Sequence, residues 1–144
     1  MKFVLFVDCG ESCRMKIEYV DGLLQTSLTL NYKGQVLTIE KLVIDTGASH
    51  TLLSADAIAD IGVYFETGDE IITAFGIGGE ESCFRKVFDS IQLGNFHIEN
   101  YKLDVGSLHE KLAINGLLGL DFLMKANIVL DLAELVMYSA KEKD

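Results

Sequence analysis

At 144 residues the chain has material for one hydrophobic core, since single cores are typical at roughly 100–150 residues. Its 49% apolar and 24% charged residues have the balance of a globular protein and exclude a disordered one. Its 22 acids against 12 Lys and Arg leave a net charge of −10, which opposes a phosphate backbone and excludes nucleic acid as an expected partner.

In chain order, the first candidate strand is 2–7, built on Phe3-Val4-Leu5-Phe6-Val7. The apolar run stops at Asp8, too short for a signal h-region of about 7–15 residues or a membrane helix of about 20. A cytoplasmic protein with no membrane partner is the expectation. Met15-Lys16-Ile17-Glu18-Tyr19 reads as a protein start in its own right, so residues 1–14 are either an extra strand or an N-terminal extension of a single domain spanning 1–144. Cys9, Cys13 and Cys83 are an odd number, as free thiols of a reducing compartment would be, and with no His beside the first two no metal is expected.

The remaining candidate strands are 14–19, 23–31, 35–45, 70–75, 82–88, 90–93, 96–104, 127–131 and 134–138. Alternating or β-branched runs of five to eight residues, with few stripes of helical period, define an all-β fold. Asp21-Gly22, Lys33-Gly34, Gly94-Asn95 and Asp131 to Glu134 fall where hairpins would reverse, so most neighbouring strands are expected to be antiparallel. Two short helices are expected, over 54–61 with Ser54 as its cap, and over 119–125 after Gly119.

Three segments carry the chemistry. In Leu42-Val43-Ile44-Asp45-Thr46-Gly47-Ala48-Ser49 an apolar strand delivers a carboxylate into a turn where glycine permits close approach. An Asp at the end of a buried strand is costly unless something uses it, although alone it could simply bond its own turn amides. Ala74-Phe75-Gly76-Ile77-Gly78-Gly79 reads as the glycine-rich tip of a hairpin, as a lid requires. Ile114-Asn115-Gly116-Leu117-Leu118-Gly119-Leu120-Asp121-Phe122-Leu123 reads as an apolar strand ending in glycine and running into a helix, and alone it would be plain core.

Together and in this order the three segments resemble the retropepsin family of aspartic peptidases over about residues 16–139, and in detail its small bacterial members. Asp45-Thr46-Gly47-Ala48 is similar to the catalytic triplet with its following Ala, Gly76-Ile77-Gly78-Gly79 to the flap tip, and Leu117-Leu118-Gly119 to the element before the C-terminal helix. The resemblance implies a closed retropepsin-like β-barrel, the acid-protease half-barrel, with a flap hairpin and one or two short helices. It also implies an aspartic endopeptidase acting on a peptide or protein substrate, with no metal or other cofactor.

The family's chemistry uses two carboxylates, and the chain has one such triplet. Glu66-Thr67-Gly68, Asp60-Ile61-Gly62 and Asp104-Val105-Gly106 lack the residues or the context. A homodimer is therefore required, since a two-fold axis can bring identical residues face to face. Two carboxylates at about 3 Å share one proton. One member then acts as general base on a water while the other donates toward the substrate carbonyl.

The resemblance assigns catalytic roles to Asp45, Thr46 and Gly47, with Thr46 bonding across the dimer axis and the Gly47 carbonyl meeting the substrate backbone. Substrate binding falls to Ala48, Ser49, Leu52, Gly76, Ile77, Gly78 and Leu117, the Ile77 N–H closing over the peptide and Ile77, Leu52 and Leu117 lining apolar subsites. An extended peptide held through its backbone fits β-addition. Retroviral members often carry an acid and an Arg where this chain has Ser49 and Leu120, which puts the dimer contacts in doubt. His50 falls near a substrate pocket, with an exposed or satisfied histidine as the plainer reading; His97 and His109 earn no role. The rival readings are a non-catalytic peptide-binding module of the same fold and a structural β-domain with a coincidental triplet.

Overall fold

The computed structural model describes residues 4–6, 14–76, 79–108 and 113–140. The first half contains β1 (Val4–Phe6), β2 (Met15–Lys16), β3 (Glu18–Val20), β4 (Leu23–Tyr32), β5 (Gln35–Ile44), β6 (Leu52–Ser54), α1 (Ala55–Ile58) and a 3-10 turn over Ala59–Ile61. The second contains β7 (Ile71–Gly76), β8 (Gly79–Leu93), β9 (Phe96–Gly106), β10 (Gly116–Leu118), α2 (Leu120–Lys125), β11 (Ile128–Asp131) and β12 (Val136–Ser139).

Six strands close into a barrel in the order β9, β6, β10, β5, β4, β8 and back to β9. Closure removes the unpaired edges an open sheet would expose. β7 continues outward from β8, while β1 and β3 add to β9 and β4. β11, β12 and β2 form a separate three-stranded sheet. Pairings are antiparallel except β5 with β10 and β6 with β9. Because β10 is inserted between β5 and β6, which are consecutive in the chain, the connection 45–51 must pass over the end of β10.

Local chemistry accounts for the turns. Asp21-Gly22 and Lys33-Gly34 all have positive φ (51°, 79°, 48° and 84°), the signature of the type I′ turn that matches strand twist. Asp131 Oδ1 accepts the Ala133 and Glu134 amides, both at 3.0 Å, and turns β11 into β12. Asn95 also reaches beyond its own turn, exchanging two hydrogen bonds with the Ser139 backbone.

Several expected boundaries move. The strand expected over 14–19 divides at Ile17, which is 1% exposed and whose N–H donates to the Leu135 carbonyl, so β2 joins the small sheet and β3 the barrel. The two strands expected over 82–88 and 90–93 are one strand, β8, because its ladder to β9 keeps the same register on both sides of Asp89. Residues 52–54, where no strand was expected and Ser54 was to open a helix, form β6, flanked by β10 and β9. Ser54 occupies the cap position of α1 but its side chain makes no capping hydrogen bond. Of the strand expected over 2–7 only Val4–Phe6 is described, and Cys9, Cys13 and His109 lie outside the described residues.

The barrel interior is filled by Leu28, Leu30, Leu42, Leu53, Phe88, Ile91 and Ile98, none more than 1% exposed. Burying one such side chain contributes about 1.5–3 kcal/mol. α2 plugs one end with Phe122, whose ring meets Phe96 and Tyr101 edge-on at 5.5 and 5.6 Å. Among the described residues no helix is long and apolar enough to cross a membrane.

Candidate active site

The site is built where β5 ends. Leu42, Val43 and Ile44 are buried beside β10, and the Asp45 N–H donates to the Leu118 carbonyl (3.0 Å), adding one step to that parallel ladder. The chain then turns sharply. The Ala48 N–H donates back to the Asp45 carbonyl (3.2 Å), and the Gly47 N–H donates to Asp45 Oδ1 (2.9 Å). A Cβ at position 47 would lie 3.2 Å from that carboxylate oxygen, so glycine lets the turn wrap closely around it. Asp45 is half-buried, while Thr46, Gly47 and Ser49 are exposed.

Behind the turn, α2 grips the same segment. The Leu120 and Asp121 N–H groups donate to the carbonyls of Ala48 (2.8 Å) and Ser49 (3.2 Å). Asp121 Oδ1 accepts from the Thr51 hydroxyl (2.7 Å), the Thr51 N–H (2.9 Å) and the Phe122 N–H (2.7 Å). The Thr51 hydroxyl in turn accepts the Gly119 N–H at 3.0 Å. Gly119 passes so close to this loop that a Cβ would meet the His50 carbonyl carbon at 2.6 Å and its oxygen at 2.7 Å. The turn carrying Asp45 is therefore held from β10, from α2 and by its own amides, with its outer side open.

The predicted residues divide into three groups. Asp45, Thr46, Gly47, Ala48 and Ser49 share the turn. Leu52 and Leu117 face one another across β6 and β10, both half-buried, while the alternate residues Leu53 and Leu118 point into the core at 0% exposure. Gly76 ends β7 opposite Gly79, which makes β7 and β8 the hairpin expected there. Ile77 and Gly78 lie outside the described residues. His50 is exposed and lines a cavity of about 250 Å³ with Arg85, Tyr101, Lys102, Leu103, Asp104 and Asp121. Asp45 does not line that cavity.

Charge pairs anchor the base of the β7–β8 hairpin from both faces. Arg85 Nε donates to Asp104 (2.9 Å), and its Nη1 lies 3.5 Å from Glu70. The hydrogen bond to Asp104 is the main reason that the Arg85 guanidinium titrates above its ordinary range. Lys86, 5% exposed, meets Asp69 at 2.7 Å and Glu66 at 2.9 Å. Burial alone would push the Lys86 ammonium down, but hydrogen bonds to Asp69 and Glu66 outweigh it and push it up to about 12. Among the described residues no group of His, Cys, Asp and Glu is arranged to hold a metal.

Thr51, Asp121 and Asn115 support the site, yet sequence reading gave them no role. Nothing in an isolated Thr or Asp reveals a partner 70 residues away, and Asn115 sits inside a segment read for its apolar neighbours.

Comparison with known proteins agrees with this architecture. A family described as Aspartyl protease matches residues 27–122, and the chain belongs to that family. Among solved structures the chain is similar to a retropepsin-like aspartic protease from Rickettsia conorii, with a TM-score of 0.62 and 22% identity over 95% of this chain and 92% of that one. That likeness establishes a retropepsin-like barrel. No curated protein matches the chain.

Proposed function

We propose that the chain is an aspartic endopeptidase whose active site forms when two copies bring their Asp45 carboxylates together on a two-fold axis. The observation that carries the reading is the Asp45-Thr46-Gly47 turn: fastened from behind by β10 and α2, yet open on its outer side, with Thr46 and Gly47 exposed. A carboxylate so rigidly placed beside an exposed turn suits a partner bearing the same group.

In this reading the two Asp45 side chains hold one proton and one water between them. The ionised carboxylate removes a proton from the water as it attacks the peptide carbonyl carbon, and the protonated carboxyl donates to the carbonyl oxygen. The tetrahedral diol then collapses with proton transfer to the departing amine, and no bond to the protein forms. Thr46 ties the two turns across the axis. Gly47, Ala48 and Ser49 hold the substrate backbone, Leu52 and Leu117 border apolar subsites, and Gly76, Ile77 and Gly78 cover the peptide. The core cluster, which runs from Ile17 to Met137, supports one domain, and the odd number of cysteines in the sequence, three, fits a cytoplasmic site of action.

The test is an Asp45→Asn variant assayed against a peptide library. It should fold and associate as the parent does and cleave nothing; retained turnover refutes the assignment. A second reading, a peptide-binding module that does not cut, draws on one observation. Ser49 and Leu120 cannot form the ion pair of retroviral members, and Ala48 and Ser49 are instead joined to Leu120 and Asp121 by two backbone hydrogen bonds. Sedimentation separates the two readings, since a strict monomer at micromolar concentration cannot assemble the carboxylate pair.

A further inference from the structure

β5 is not a regular strand. Thr26 pairs with Leu42 but Leu28 pairs with Ile39, so Glu40 and Lys41 together oppose Ser27, and Lys41 takes a φ of 58°. Such a bulge leaves residues outside the ladder and bends the strand that carries them. Here Asn115 secures it. Its side-chain Nδ2 donates to the Glu40 carbonyl (2.8 Å) and its backbone N–H to the Lys41 carbonyl (2.9 Å), while its own carbonyl accepts the Ser54 N–H of β6 (2.9 Å).

The next residues of both strands pair in register, Gly116 with Leu42, Leu117 with Val43 and Leu118 with Ile44, and the run closes with the Asp45 N–H on the Leu118 carbonyl. We propose that Asn115 is a positioning residue for Asp45: by clamping the bulge at 40–41 it sets the register of the ladder that ends on the carboxylate, about 13 Å away at ~3.3 Å per residue. The inference rests on Asp45 being the catalytic acid, as proposed above. With the clamp removed, the Glu40 carbonyl loses its partner and Lys41 keeps an unfavourable backbone conformation. The strand then has reason to relax toward a regular register, and small displacements matter in a site that must align two carboxylates and a water.

The experiment compares the parent chain with Asn115→Ala and with Asn115→Asp, which keeps the backbone bond and the side-chain size but removes the Nδ2 donor. In each folded variant kcat should fall by about 10- to 100-fold with KM changed less than about threefold. The Asp45 amide proton should exchange at least about tenfold faster, with the amides of core strand β9 unchanged. Adding Lys41→Gly to Asn115→Ala should recover part of both losses, because glycine adopts positive φ without strain and lets the bulge keep its shape unaided. A generic packing defect would not be repaired that way. Parental kcat and parental exchange at Asp45 in both single variants overturn the inference. Should the parent chain cleave no peptide, the peptidase reading fails and exchange at Asp45 alone decides the role of Asn115.

Discussion

Thr51 donates to Asp121 through both its hydroxyl and its backbone N–H, at 2.7 and 2.9 Å, although 70 residues separate the two. Thr51 is 1% exposed, so these donors have no water to turn to. Leaving a buried donor unmet costs about 1–3 kcal/mol, and bonds to a charged acceptor are the stronger ones. Asp121→Ala should therefore destabilise the fold by about 2–4 kcal/mol and Thr51→Val by about 1–3 kcal/mol. In urea unfolding the double variant should fall short of the sum, since each change alone already removes the bond from the Thr51 hydroxyl to the Asp121 carboxylate. Additive effects would show that the pair does not act as a unit.

Gly119 is held by contact rather than by conformation. A methyl group there would meet the His50 carbonyl carbon at 2.6 Å and its oxygen at 2.7 Å, in a loop already fixed by Asp121 and Leu120. Gly119→Ala should cost upwards of about 3 kcal/mol or abolish soluble expression. Gly34→Ala is the control. It sits at a φ of 84° with nothing within 4 Å, so it should cost only about 1 kcal/mol of backbone strain. Thermal unfolding of the two variants checks the order.

The Lys86 cluster predicts a pH dependence. Glu66 and Asp69 are held below their ordinary values of 4.5 and 3.8, chiefly by hydrogen bonds from Lys86. In acid the unfolded chain binds more protons at these groups than the native one. Their stabilisation is therefore complete above the ordinary carboxylate values and is lost as pH falls through the lowered ones. Lys86 runs the other way: its contribution is complete below 10.5 and is lost as pH rises through about 12. Lys86→Met should flatten the loss of stability between about pH 5 and 3 relative to the parent, read from urea midpoints. An identical acid slope in both proteins would contradict the assignment.

Much of this architecture was legible before any coordinates, and the exceptions have physical reasons. Period-two runs and two-residue turns specify antiparallel hairpins locally, which is why β4, β5 and β9 could be placed within a few residues and β8 in two pieces. β6 could not, because Leu52–Ser54 is a strand only by virtue of β10 and β9 on either side, and both lie far off in sequence. The division at Ile17 is likewise tertiary, set by its burial and its bond to Leu135. The Asp45 turn was readable since its residue types advertise their chemistry. Thr51, Asn115 and Asp121 were not, because their importance consists entirely of partners that the fold brings to them.

The requirement for two chains is tested most directly by mixing. With the active chain held at constant concentration, Asp45→Asn protein is added at concentrations where chains associate and exchange. If each site takes one Asp45 from each of two chains, mixed pairs form and activity falls, to about half at equal amounts and toward zero in excess. Activity that stays level as inactive chain is added would show that one chain carries a complete site, and would contradict the account.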